Sequence, residues 1–227
     1  MSHNMIYICM MNFELIIFDC DGVLVDSELI SSKVIAAIFE SIGIEMSPQE
    51  VFDTLRGGSM KKTIAFAESM IGKLPIDLEK EYREKSYQAY RKEMKPIDGI
   101  SEVLSKLNVP KCVGSNGPHS KIKLNLEITG LNCYFDEKHI FSAYDVDNWK
   151  PDPSLYLYAA DQFGISPEKC LVIEDSISGA TAAQRAGMSC LGYARDTSVD
   201  EFKDVNAIPI YRMEDIITMH PQLFIDC

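Results

Sequence analysis

The sequence predicts an α/β protein: a parallel sheet covered by helices on both faces, with a purely helical subdomain inserted after the first strand. Three observations carry this expectation. From Asp98-Gly99 onward, short apolar runs alternate with amphipathic stretches, as parallel βα units do. Between positions 29 and 95 the periodicity is helical throughout. The first apolar run, Leu15-Ile16-Ile17-Phe18, ends on Asp19-Cys20-Asp21-Gly22, which sets two carboxylates at the sheet edge where α/β proteins bind ligands.

The elements follow in order. A short apolar run closed by glycine reads as a strand buried on both faces. Leu29, Ile30, Val34, Ile35, Ile38, Phe39 and Ile42 keep helical spacing up to the stop at Gly43. Ser47-Pro48-Gln49-Glu50 is a capping box that opens a second helix, broken by Gly57-Gly58. A third helix runs from Lys61 to Ile71 and ends at Gly72. A fourth, charged, starts behind Asp77 and runs to about Met94, before Pro96. Then come helix 100–107, strand Lys111 to Gly114, a helix opened by Pro118 and closed by Gly130, and a strand near Ile140-Phe141. The remainder reads as helix Pro153 to Phe163, strand Cys170 to Ile173, helix Gly179 to Ala186, strands Cys190 to Tyr193 and Ala207 to Ile210, and a terminal helix. Residues 12–28 and 96–227 are expected to form the core, 29–95 the helical subdomain, and 1–11 an N-terminal extension. An insert that leaves and returns at one sheet edge can overhang a site there as a lid.

Composition narrows the classes. The 227 residues are 46% hydrophobic and 25% charged, enough for a core plus a smaller companion. A net charge of −12 argues against general nucleic-acid or anionic-membrane binding, although a pocket can still be locally positive. The seven cysteines form no C-x-x-C pair, which suggests reduced thiols in a cytoplasmic protein. The four histidines lack metal spacing, which points away from zinc. Met5 to Met11 is apolar but short and has no basic flank, so neither a signal peptide nor a membrane span is expected.

Four predicted strand ends carry groups suited to one reaction: Asp19 with Asp21, Ser115-Asn116, Lys150 at a helix entrance, and Glu174-Asp175. Like charges two residues apart repel, and so call for a cation, for proton chemistry, or for both. A carboxylate can attack phosphorus, and hard carboxylate oxygens suit Mg²⁺. Lys150 and the N–H groups around Ser115-Asn116-Gly117 could hold phosphoryl oxygens. Taken singly, each motif has a plainer reading: a solvated turn for Asp-x-Asp, a turn for Ser115-Asn116-Gly117, an N-cap for Glu174-Asp175-Ser176, a surface charge for Lys150. Their order along one βα pattern favours the joint reading. A calcium loop would need a later glycine and a preceding helix. Cys20 has nothing basic beside it in sequence and reads as filler, and Trp149 as packing.

These residues, in this order, resemble the haloacid dehalogenase (HAD) superfamily over nearly the whole chain. The resemblance implies a Rossmann-like, doubly wound core with a helical cap inserted after the first strand. It also implies Asp19 as nucleophile and Asp21 as general acid, then base. Mg²⁺ would be held by Asp19, the Asp21 carbonyl, Asp175 and Glu174, with Ser115, Asn116 and Lys150 on the phosphoryl group. Within the superfamily the chain is similar to the β-phosphoglucomutase-like branch, and there to the bacterial 6-phosphogluconate phosphatases. The stretches Ser115-Asn116-Gly117-Pro118 and Trp149-Lys150-Pro151-Asp152-Pro153 carry that finer likeness. Glu174 departs from the Asp of many such phosphatases.

The mutases of that branch carry a histidine twelve positions after the nucleophile and a Lys-Gly-x-Ser-Arg run in the cap. Here Ser31 and Arg56-Gly57-Gly58-Ser59-Met60 stand instead, which favours hydrolysis over a β-phosphoglucomutase-type transfer. Arg56 and Lys61 are candidates for contacting an anionic substrate tail. A non-catalytic phospho-acceptor module also clusters aspartates on a doubly wound fold, but the helical insert and the second acid, Asp21, argue against it. The expectation is a Mg²⁺-dependent phosphatase of a small phosphomonoester, a cytoplasmic monomer without nucleic-acid or membrane partners.

Overall fold

A computed structural model of the chain describes residues 12–56 and 58–225. The expected N-terminal extension, 1–11, and Gly57 of the expected helix break lie outside the described residues. Strands β1 (Leu15–Phe18), β2 (Lys111–Ser115), β3 (Ile140–Ser142), β4 (Cys170–Glu174), β5 (Ser189–Tyr193) and β6 (Ile208–Ile210) lie side by side in the order β3-β2-β1-β4-β5-β6. All neighbours pair in parallel, with Phe18 opposite Val113 and Ile173, and Ser115 opposite Ser142. The chain winds out from β1 to β3, crosses back past β1, and winds out the other way. That reversal opens a crevice at the carboxyl ends of β1 and its neighbours.

The helical insert, Asp26–Lys95, forms a compact unit of its own. It contains α1 (Glu28–Ser41), α2 (Pro48–Leu55), α3 (Met60–Ile71) and α4 (Leu78–Glu93). The capping box at α2 is complete: Ser47 Oγ accepts the Glu50 amide at 3.2 Å, and Glu50 Oε2 accepts the Ser47 amide at 2.7 Å. The buried stripe of α1, Val34, Ile35, Ile38 and Phe39, packs with Ile44, Val51, Ala67 and Leu78, as the sequence period requires. Three hydroxyls join α1 to α4: Ser31 Oγ lies 2.8 Å from Tyr90 Oη and 3.1 Å from Tyr82 Oη, with 2.9 Å between the two tyrosines. At the neck, the Asp26 amide donates to the Lys95 carbonyl at 3.0 Å.

The other unit comprises residues 12–25 and 96–225. Val25 and Pro96 form an antiparallel bridge, and the Ile97 amide donates to the Leu24 carbonyl at 3.0 Å. The helices of this unit are α5 (Ile100–Lys106), α6 (His119–Thr129), α7 (Ala143–Val146), α8 (Ser154–Phe163), α9 (Ile177–Arg185), α10 (Val199–Asp204) and α11 (Asp215–Met219). Successive residues of β1 face opposite ways. Leu15 and Ile17 join the core formed with α8 and α9, while Phe18 meets Phe135 edge-on on the other face. Helices α7 and α10 were not expected; each is too short to display a period. Helix α9 starts two residues before Gly179, because Ser176 Oγ accepts the Gly179 amide at 3.1 Å and caps it. His220, behind α11, is fully buried with its ring edge-on to Phe13. Among the described residues no helix is long and apolar enough to cross a membrane.

Candidate active site

Strand β1 delivers Asp19 to the crevice, and the Asp19 amide continues the ladder by donating to the Ile173 carbonyl at 3.0 Å. The chain then turns back on itself, with the Leu24 and Val25 amides both donating to the Cys20 carbonyl at 3.0 Å. Gly22 sits in this turn at φ +81°, and a Cβ there would lie 2.1 Å from Asp175 Oδ2. Both the backbone conformation and the approach of Asp175 therefore require glycine. The Asp-x-Asp-Gly turn and the Glu-Asp pair meet here across the β1–β4 boundary. Cys20, between the aspartates, is buried, and burial pushes its thiol well above the usual range.

Lys150 enters from the loop before α8. Its Nζ donates to Asp19 Oδ1 at 2.6 Å, Glu174 Oε1 at 2.7 Å and the Gly114 carbonyl at 2.8 Å, which fills all three of its donor positions. The ammonium also stands 4.8 Å from the centroid of the Tyr156 ring. Its side chain is 3% exposed. Burial opposes its charge, but Asp19 and Glu174 outweigh that and hold it above the usual lysine range. Lys150, which the sequence set at a helix entrance, is buried beside Asp19 and Glu174 at the strand-end cluster.

Glu174 is as tightly held. Its Oε1 accepts Lys150 and, at 2.7 Å, the Tyr156 hydroxyl. Its Oε2 accepts the Asp175 amide, the Ser176 amide and the Ser176 hydroxyl at 3.1, 3.1 and 2.9 Å. Burial raises its pKa, yet Lys150 and these hydrogen bonds bring it below the usual carboxylate range. A Cβ on Gly179 would fall 1.7 Å from Glu174 Oε1, so α9 makes room for the longer acid through a glycine. For Asp19, burial dominates and pushes the pKa up to about 7; Glu174 and Asp21 add to the rise and Lys150 opposes it.

Ligand oxygens of Asp19, Glu174 and Asp175 all lie within 4.8 Å of one another. Hard carboxylate oxygens in this number suit a divalent cation such as Mg²⁺. The cluster can bind a divalent metal. Glu174 has little free oxygen capacity, because its lone pairs already serve Lys150, Tyr156 and the Ser176 loop.

The Asp21 side chain is held from α6: Oδ2 pairs with Lys121 Nζ at 2.8 Å, and Oδ1 lies 3.5 Å from the Asn125 amide nitrogen. Ser115 is buried at the end of β2, its Oγ accepting the Gly117 amide at 3.1 Å. Asn116 uses its side-chain oxygen on the Lys150 amide at 3.0 Å and so ties two motif loops together. Arg56 and Lys61 lie in the helical unit, where the Arg56 guanidinium stacks 5.0 Å over Phe52. Trp149, expected as packing, keeps part of its surface exposed and meets Tyr144 edge-on at 5.3 Å. Sequence reasoning missed Lys121, Asn125, Tyr156 and Gly179. Lys121 and Asn125 had a usable signal, four-residue spacing on the helix that follows Ser115-Asn116-Gly117-Pro118.

A family model described as haloacid dehalogenase-like hydrolase matches residues 16–193. The 6-phosphogluconate phosphatase of Escherichia coli (strain K12) is 34% identical over 189 residues, covering 82% of this chain and 85% of the relative. A haloacid dehalogenase-like protein of unknown function from Agrobacterium tumefaciens superposes with a TM-score of 0.80 at 36% identity, over 91% of this chain and 96% of that one. A HAD family hydrolase from Deinococcus radiodurans, solved with bound phosphate and sodium, gives 0.77 at 26% identity, over 95% and 99%. The crevice, its paired acids and these likenesses agree, and the chain belongs to the haloacid dehalogenase-like hydrolases, as a phosphatase of that family.

Proposed function

We propose that the chain is a Mg²⁺-dependent phosphatase of small phosphorylated sugars or sugar acids, 6-phosphogluconate among them, working through an aspartyl-phosphate on Asp19. The observation that carries this reading is Lys150 Nζ, buried at 2.6 Å from Asp19 and 2.7 Å from Glu174 at the sheet's reversal point. It fixes a positive charge beside the acid best placed to attack, where phosphoryl oxygens would need one. The substrate class is supported by the similarity to the E. coli 6-phosphogluconate phosphatase.

Asp19 attacks phosphorus while Asp21 gives a proton to the departing sugar oxygen as the P–O bond breaks. Asp21, now a carboxylate, takes a proton from water as that water's oxygen bonds phosphorus; phosphate leaves and Asp19 is regenerated. Ser115 and the N–H groups beside Asn116 hold the phosphoryl oxygens, while Lys150, its donors taken by Asp19, Glu174 and the Gly114 carbonyl, supplies its positive charge beside them. Asp19, Asp175, Glu174 and the Asp21 carbonyl would hold Mg²⁺, which would supply charge neutralisation for the transfer. Ser31 and Met60, in place of the mutases' histidine and arginine, support water as the final acceptor.

Phosphate release measured over a panel of sugar phosphates, with and without a chelator, tests the reading. The expected result is turnover lost on chelation and restored by Mg²⁺, with Asp19→Asn slower by at least about a thousandfold. Unchanged release by Asp19→Asn would remove the nucleophile assignment.

A further inference from the structure

Each aspartate of the Asp-x-Asp turn has its own lysine. Lys150 serves Asp19; Lys121 reaches Asp21 from α6 at 2.8 Å, with the two side chains only 17% and 18% exposed. Asn125 is one turn further along α6, fully buried, and its amide faces Asp21 Oδ1 at 3.5 Å and Cys20 Sγ at 3.9 Å. Residues four apart share one helix face, so α6 presents two donors to the two oxygens of a single carboxylate. The start of α6 is itself anchored: it follows directly on the loop in which Ser115 Oγ accepts the Gly117 amide and the Gly117 carbonyl accepts Ser142 Oγ at 2.7 Å.

We infer that Lys121, assisted by Asn125, is the positioning residue for Asp21. Asp21 follows a buried acid by two residues, and like-charge repulsion would turn its carboxylate away from the reaction centre. A partly buried ammonium from a helix fixed to the phosphoryl-binding loop opposes that rotation. It couples the direction of the proton-moving group to the place where the phosphoryl group sits. Misplacement by about 1 Å costs such groups on the order of a hundredfold in rate. The inference rests on the acid–base role proposed for Asp21.

The test uses the full chain with Mg²⁺ and compares Lys121→Met, Lys121→Arg, Asp21→Asn and the double variant D21N/K121M. The substrates are the best sugar phosphate of the panel and p-nitrophenyl phosphate. Nitrophenolate departs without a proton, so with that ester only the second step needs Asp21. For K121M the expected result is a kcat on the sugar phosphate lower by about 10- to 100-fold, with KM within about twofold. With the aryl ester, a nitrophenolate burst should emerge at a rate within about threefold of wild type, followed by a steady state about tenfold slower. K121R should recover most of the loss, and D21N/K121M should be no slower than D21N. Misfolding lowers the burst amplitude but not its rate, so a partly folded variant still reports. Equal slowing of burst and steady state, a rise in KM alone, or wild-type rates for K121M would overturn the inference. A slow D21N beside a wild-type-rate K121M overturns it while leaving the role of Asp21 intact; a fully active D21N removes both.

Discussion

The carboxylate of Glu174 is filled by Lys150, Tyr156 and the Ser176 loop, and Gly179 is the reason it fits. Gly179→Ala would drive a methyl group into an acid that cannot retreat without leaving its donors. The expected outcome is a loss of about 1–3 kcal/mol of stability in denaturant titration, and phosphate release lower by roughly tenfold or more, as Glu174 and with it Lys150 are displaced. Adding Glu174→Asp shortens the acid, and the pair G179A/E174D should recover part of both losses. At this scale the sequence made the acids and Lys150 legible, because each follows an apolar run or opens a helix. Gly179 and Tyr156 were not legible, since their importance arises only when α8 and α9 bring them onto Glu174. The added methylene of Glu174 was visible in the chain; the glycine that accommodates it stood five residues on, with no local mark.

Helices with a full cap or a long stripe could be read directly, as α1 and α2 show. The α2 start is a closed reciprocal pair between Ser47 and Glu50, and Glu50 lies below the usual carboxylate range because it accepts the Ser47 amide and hydroxyl. Ser47→Ala should cost about 1 kcal/mol, seen as a lower thermal midpoint, with phosphate release at moderate temperature unchanged. A midpoint equal to wild type would show that the box adds nothing beyond the tertiary contacts of Val51. The short elements escaped for a physical reason. Helix α7 is one turn held by Ser142 and Asp145, and α10 little more, so their caps outweigh any periodic signal. The final residues of β2 and β4, Ser115 and Glu174, are polar and looked like loop, yet both complete sheet ladders before turning to the site.

Across the whole molecule, alternation of strands and helices told of a parallel sheet but not of its order; which strand neighbours β1 depends on handedness and packing that no local pattern contains. Global stability should also record His220. Burial pushes its pKa down to about 4, whereas in the unfolded chain it titrates near the ordinary value of 6.5. The unfolded state therefore binds the proton first, and the contribution of His220, whole above pH 6.5, is lost as pH falls towards 4. Its size is roughly 1–3 kcal/mol. Denaturant midpoints of His220→Phe and wild type, followed from pH 7 to 4, should diverge in favour of the variant through that window; parallel curves would contradict the assignment.

The neck of the insert has a consequence for how such chains diversify. Val25 bridges Pro96, Leu24 holds Ile97, and the amide of Asp26 reaches Lys95, so entry and exit are clasped side by side. Once the ends of a segment are clasped, each doubling of its length costs only about 0.6 kcal/mol in closure entropy. Whole helical blocks can thus be exchanged, trimmed or enlarged by recombination at the clasp, while the register of β1, and with it the spacing between Asp19 and Lys150, is inherited untouched.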